Sequence, residues 1–172
     1  LPDVLTNERL ALSIWQGNNA AAEVYNEPGR FTAFIGYEWS SNAGGNNLHR
    51  VVLYRDGKDK ANQMIPYSSF ISENPADLWN WMTRYEEQTG GQLLAIPHNG
   101  NLSNGRMFQD TQFDGSPITS EWAETRARYE TVIEATQTKG DGEAHPFLSP
   151  NDEFADYETW DQGNLNLTVP KD

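Results

Sequence analysis

The stretch Gly91-Gln92-Leu93-Leu94-Ala95-Ile96-Pro97-His98-Asn99-Gly100-Asn101-Leu102-Ser103-Asn104-Gly105 constrains the chain most. A short apolar run bounded by turn formers reads as a buried strand with helices on its faces. Pro97 has no N–H for a ladder bond, so the strand ends there. His98 then lies at the carboxyl end of a buried strand, where α/β proteins place ligands and chemistry. A lone histidine at a turn is as readily a cap for backbone carbonyls. Its chemistry therefore depends on what else the chain brings beside it.

The chain has 172 residues, enough for one domain with its own core, and a single domain over 1–172 is expected. Its formal net charge is -13, with only 12 Lys and Arg. That argues against nucleic acid and anionic membrane as partners while leaving room for a local cationic pocket. There is no Cys, which excludes disulfides and thiolate metal sites. No stretch approaches a membrane span. The opening Leu-Pro-Asp-Val-Leu lacks the basic region of a signal peptide.

In chain order, Thr6 to Tyr25 reads as a helix capped by Thr6, with Glu8 in its first turn. Leu10, Ile14, Ala21 and Val24 face inward, and Gly17-Asn18-Asn19 breaks the helix into two pieces. Phe31 to Trp39 is a strand ending on Glu38, and Leu48 to Tyr54 is the next. If they form a hairpin, Glu38 leaves the first strand near where His49 enters the second, with opposed residues about 5 Å apart. The Asn/Gly loop Ser40 to Asn47 would wrap the space between them. Asn74 caps a helix with Pro75 at its first position, and Leu78, Met82 and Tyr85 share its inner face with Trp81 beside it. Gly90-Gly91 stops that helix. Strand, helix and the Leu93–Ile96 strand then suggest a βαβ unit with parallel strands. A helix over Thr119 to Tyr129 and a strand over Thr131 to Thr136 follow, and 149–172 is a peripheral acidic segment.

Successive strands thus end in Glu38, His98, and Glu134 with Lys139, and the three histidines, His49, His98 and His145, all lie in loop and strand-end clusters. Imidazole with carboxylate suits Zn, Mn or Fe. Arg50, Arg106 and Lys139 could supply the cations that phosphate chemistry needs. Glu38, His49 and His98 are expected to converge in one cleft.

Several long motifs carry a family resemblance: Gly36-Tyr37-Glu38-Trp39-Ser40-Ser41, Gly44-Gly45-Asn46-Asn47-Leu48-His49-Arg50-Val51-Val52, Leu94 through Gly105, and Lys139-Gly140-Asp141-Gly142-Glu143-Ala144-His145-Pro146-Phe147. Over nearly its whole length the chain resembles a large uncharacterised bacterial family, domain-of-unknown-function family 3604. That family is placed in the polymerase-and-histidinol-phosphatase (PHP) superfamily. The resemblance implies a distorted (β/α)7 barrel, a parallel-rich sheet with flanking helices. It also implies a two- or three-metal site that hydrolyses phosphoesters. Glu38 matches the bridging carboxylate, His98 a strand-end ligand and His49 a further ligand. His145 has no clear counterpart and stays open as ligand, substrate contact or structural residue. Asn99, Arg106 and Lys139 are the expected substrate contacts.

The superfamily's His-x-His, Asp-His and Asp-x-His motifs are absent. The chain therefore reads as an internal piece of a longer protein, without the first and last barrel strands, from a periplasmic or extracellular parent. The parent is expected to be a metal-dependent phosphoesterase acting on a phosphorylated small molecule. The competing readings are a carbohydrate-binding module with Trp39 as platform, and a purely structural piece. Alone, the chain is expected to be folded, catalytically silent, metal-poor and homo-oligomeric.

Overall fold

The computed structural model describes residues 7–142, 144–157, 159–160 and 162–170. The expected Thr6 cap, and Glu158 and Asp161 of the acidic segment, lie outside them. Helix α1 spans Glu8–Tyr25 and is capped by Asn7, whose side chain accepts from Leu10 N at 3.1 Å. It runs unbroken through Gly17-Asn18-Asn19, and its inner face is not the expected one. Leu10, Ile14 and Val24 are exposed, whereas Trp15 and Asn19 are buried. The reason is hydrogen bonding as much as hydropathy. Trp15 Nε1 donates to Ala61 O at 2.9 Å, and Asn19 Nδ2 donates to Asn62 Oδ1 at 2.8 Å. Asn19, taken from sequence as a helix breaker, is a packing residue with a partner.

Three strands form the main sheet: β1 (Ile35–Trp39), β2 (Arg50–Tyr54) and β3 (Leu93–Pro97), in the order β1-β2-β3. Both pairings are antiparallel, with Glu38 opposite Val51 and Arg50 opposite Pro97. This corrects the expectation of a parallel-rich, PHP-like partial barrel: the chain is α/β, but its sheets are small, antiparallel and not closed. It also corrects the βαβ unit. After β2 come a short helix α2 (Lys58–Ala61) and an extended segment, and only then helix α3 (Pro75–Thr89). The extended segment carries the chain back to the end where β2 began. There Ser41 Oγ donates to Glu73 O at 2.8 Å. Helix α3 then runs up the sheet again, and Gln92 meets Arg55 across a 3.0 Å backbone bond. A crossover with two legs instead of one delivers β3 pointing the opposite way.

Alternation along the strands sorts the sheet into two faces. Ile35, Trp39, Val52, Tyr54, Leu93 and Ala95 are buried, packing on Leu78, Trp79, Trp81, Met82 and Tyr85 of α3 and on Trp15 of α1. Aromatic rings fill this layer, with Trp15 and Tyr54 centroids 5.3 Å apart and Tyr54 and Tyr85 5.2 Å apart. Trp39 is only 1% exposed, which removes it as a sugar platform. Helix α4 (Ser120–Tyr129) packs beside α3.

The strand expected over Thr131 to Thr136 is not there. Only a two-residue strand β4 (Thr136–Gln137) forms, pairing with β5 (Gly140–Asp141) in a separate hairpin. Glu134 N does reach Pro97 O at 3.2 Å. Pro97 has no N–H to return, so the edge of β3 cannot extend the ladder there. The strand expected from Phe31 likewise begins only at Ile35, since Phe31 and Phe34 are exposed. In the acidic segment, Ala155 and Asn164 are buried, and Asn104 N donates to Gly163 O at 2.6 Å.

One charge sits inside the core face. Arg50, 1% exposed, bonds through Nε to Glu130 Oε1 at 2.8 Å, and the same oxygen accepts from Trp79 Nε1 at 2.9 Å. Arg126 Nε holds the other carboxylate oxygen at 3.0 Å. Glu130→Ala strands the Arg50 charge and should cost about 3–5 kcal/mol in urea unfolding. Replacing Arg50 and Glu130 together by apolar residues of similar size should cost much less. Equal losses in the two variants would show that the pair carries no coupled energy.

Candidate metal centre

At one end of the sheet, β1 leaves, β2 enters and β3 leaves. Glu38, His49 and His98 all occupy that end. Glu38 faces Val51, and by the two-residue period His49 projects on the same side as Val51. His98 lies opposite His49, one step beyond the Arg50–Pro97 pair, and its N–H donates to His49 O at 3.3 Å. The antiparallel ladder therefore sets the two imidazoles side by side, with ring centroids 5.7 Å apart. Both reach the same carboxylate oxygen: Glu38 Oε1 lies 2.7 Å from His49 Nδ1 and 3.3 Å from His98 Nε2. The three candidate ligand atoms fall within 4.8 Å of one another. The histidine side chains are mostly buried, and that of Glu38 is 46% exposed, so the cluster opens to solvent through the carboxylate.

The orientation of His98 suits a ligand. Its Nδ1 lies 3.4 Å from Ile96 O and its Nε2 3.3 Å from Glu38 Oε1, and the ring can donate to either oxygen, according to its tautomer. In the tautomer with the proton on Nδ1, held by Ile96 O, Nε2 presents its lone pair toward Glu38. A metal-ligating histidine is commonly fixed in this way, with its other nitrogen on a backbone carbonyl. Two imidazoles and one carboxylate form a donor set that Zn, Mn or Fe accepts.

The loop after β3 is held from behind. Asn99 adopts a left-handed conformation (φ 54°), and its N–H donates to Glu134 Oε2 at 2.7 Å. Glu134 thus pins the turn that carries His98. Lys139, at the tip of the β4–β5 hairpin, is near enough for its charge to oppose protonation of His49. The hairpin is tied to the same loop by Asn101 Nδ2 donating to Lys139 O at 2.9 Å.

Other candidates are elsewhere. His145 is not in the donor cluster found among the described residues; its Nδ1 accepts from Phe147 N at 3.1 Å, a turn contact. Arg106 lies over the Phe113 ring at 5.4 Å, in a cleft whose lining includes none of the three clustered residues. Arg50 is locked to Glu130 on the opposite face of β2. The Ser40–Asn47 loop does not wrap the cluster. It packs against the loop after β3 and the C-terminal segment, with Asn47 N donating to Leu102 O at 3.1 Å and Asn166 N to Gly45 O at 3.2 Å. Glu130 escaped the sequence reading, although its spacing of four from Arg126 was a visible sign of pairing.

Fold and cluster define an α/β chain with a two-histidine, one-carboxylate donor set at an open sheet end. A family model described as "Protein of unknown function (DUF3604)" matches residues 2–172, and the chain belongs to that family. No curated protein and no solved structure gives a significant match.

Burial pushes the His49 imidazole below its ordinary 6.5, outweighing the pull of Glu38. The unfolded chain then takes up a proton that folded His49 refuses. His49's contribution makes the metal-free chain less stable as pH falls below about 6.5, and the loss levels off below the folded-state value. An NMR titration of His49 should give a midpoint under 6.5. A midpoint above it would mean that Glu38 dominates.

Proposed function

We propose that Glu38, His49 and His98 bind a divalent metal ion, and that the parent protein is a metal-dependent hydrolase, a phosphoesterase in the first instance. The observation that carries the reading is the meeting of both imidazoles on one Glu38 oxygen, with one candidate ligand atom from each residue within 4.8 Å of the others. A divalent ion held there would supply a Lewis acid that acidifies water and polarises a phosphoryl oxygen. Three protein donors leave coordination positions open, as a catalytic site requires.

The chain's own residues would do the rest. Glu134 and the left-handed Asn99 hold His98 in place. Lys139, whose charge acts on His49, is the cation best placed to attract an anionic substrate. The phosphoester assignment draws support from this cation and from the likeness of Gly36-Tyr37-Glu38 and Pro97-His98 to PHP ligand motifs. The barrel implied by that likeness plays no part in it.

Titration calorimetry with Zn and with Mn should detect one ion per chain. Glu38→Gln, His49→Ala and His98→Ala should each weaken binding by about tenfold or more. Failure of both ions to bind would sink this reading. Donors for a second ion are not among the clustered residues, so the 172-residue chain alone should turn over p-nitrophenyl phosphate negligibly even when loaded. Brisk turnover would show that one ion suffices.

A further inference from the structure

Behind the β2 end that carries His49, a second constellation stands apart from the metal cluster. Leu48 and Arg50 flank His49 and project to the other side of the strand. There they line a small cleft of about 20 Å³, open at its mouth, together with Arg106, Arg126, Trp79 and Trp122. Asn74 and Pro75, the first residues of the 15-residue helix α3, form one edge.

Three guanidinium groups converge on this cleft in a chain that has only 12 Lys and Arg against 25 Asp and Glu. Each guanidinium rests on an aromatic ring. Arg50 lies 5.9 Å from the Trp39 centroid, Arg106 5.4 Å from Phe113, and Arg126 4.8 Å from Phe108 and 5.6 Å from Trp122. Stacking occupies the face of the cation and leaves its in-plane N–H edge for hydrogen bonds.

Those edges are under-used. A guanidinium offers five donors. Arg50 spends Nε on Glu130 and Nη1 on Leu48 O, and Arg126 spends Nε on Glu130 and Nη2 on Met107 O. Arg106 has one long bond, 3.5 Å from Nη1 to Ala43 O. Among the described residues Glu130 is the single carboxylate paired with any of the three. Three guanidinium groups therefore share one directly paired carboxylate. They lie against aromatic rings, beside the positive end of the α3 dipole.

We infer that the mouth of this cleft binds a small oxyanion, a phosphoryl or carboxylate group, with Arg106 as the principal contact and the Trp122 ring beside it. Planar guanidinium edges match oxyanion geometry in paired bonds. The site is independent of the proposed metal site and does not rest on it.

The test uses the 172-residue chain in chelator, so that no metal contributes. Inorganic phosphate, sulfate and acetate are titrated separately, followed by calorimetry and by the unfolding midpoint. Binding should be saturable and should raise that midpoint. Arg106→Gln should weaken it about tenfold or more, and Arg106→Lys by less. Arg30→Gln, which removes the same charge from an exposed surface pair, should leave it unchanged. Preference for phosphate and sulfate assigns the site to tetrahedral oxyanions, and preference for acetate assigns it to carboxylates. Absence of saturable binding of all three probes to the native chain overturns the proposal without any variant. Equal affinity in the Arg106→Gln and native chains also overturns it.

Discussion

The antiparallel ladder between β2 and β3 is the constraint on which the rest depends. It sets His49, at the start of one strand, opposite His98, at the end of the other. In a parallel pair those two positions would fall at opposite ends of five-residue strands, about 16 Å apart at 3.3 Å per residue. The convergence of the donors and a βαβ topology are therefore incompatible, although the sequence suggests both. The two-legged excursion between Tyr54 and Leu93 resolves the conflict. An extended return and helix α3 bring the chain back to the end it left, so β3 must run down where β2 ran up.

The same two-residue alternation that gathers Glu38, His49 and His98 on one face drives Arg50 into the core on the other. A buried guanidinium is costly unless it is paired. Glu130 answers it from the end of α4, while also accepting from Trp79 of α3 and pairing with Arg126. One carboxylate thus ties sheet, α3 and α4 together. It leaves the neighbouring arginines under-neutralised, and this is the origin of the cationic cleft. The carboxylate–histidine cluster and the cleft are back to back across one strand, each produced by the direction in which a side chain leaves it.

Local chemistry was legible wherever it was self-contained. The Asn74 cap, Pro75 and the Gly90 stop mark α3 because capping involves only neighbouring residues, and Gly90 adopts the left-handed conformation at its end. Glu38, His49 and His98 could be named as partners because each sits where an apolar run stops. Legibility failed where a long-range partner decides. The inner face of α1 depends on Ala61 and Asn62. The absent strand after α4 depends on the missing N–H of Pro97 across the sheet edge.

The sequence by itself determined helices α3 and α4, the carboxyl ends of the three main strands, the donor types and the membership of the chain in its family, because these follow from residue identity and short spacing. Strand direction, the face each side chain takes and the pairing of Arg50 with Glu130 were decided only in the tertiary structure. A strand's apolar pattern is the same read in either direction. The return path of the connecting chain, and the partners waiting on each face, make the choice.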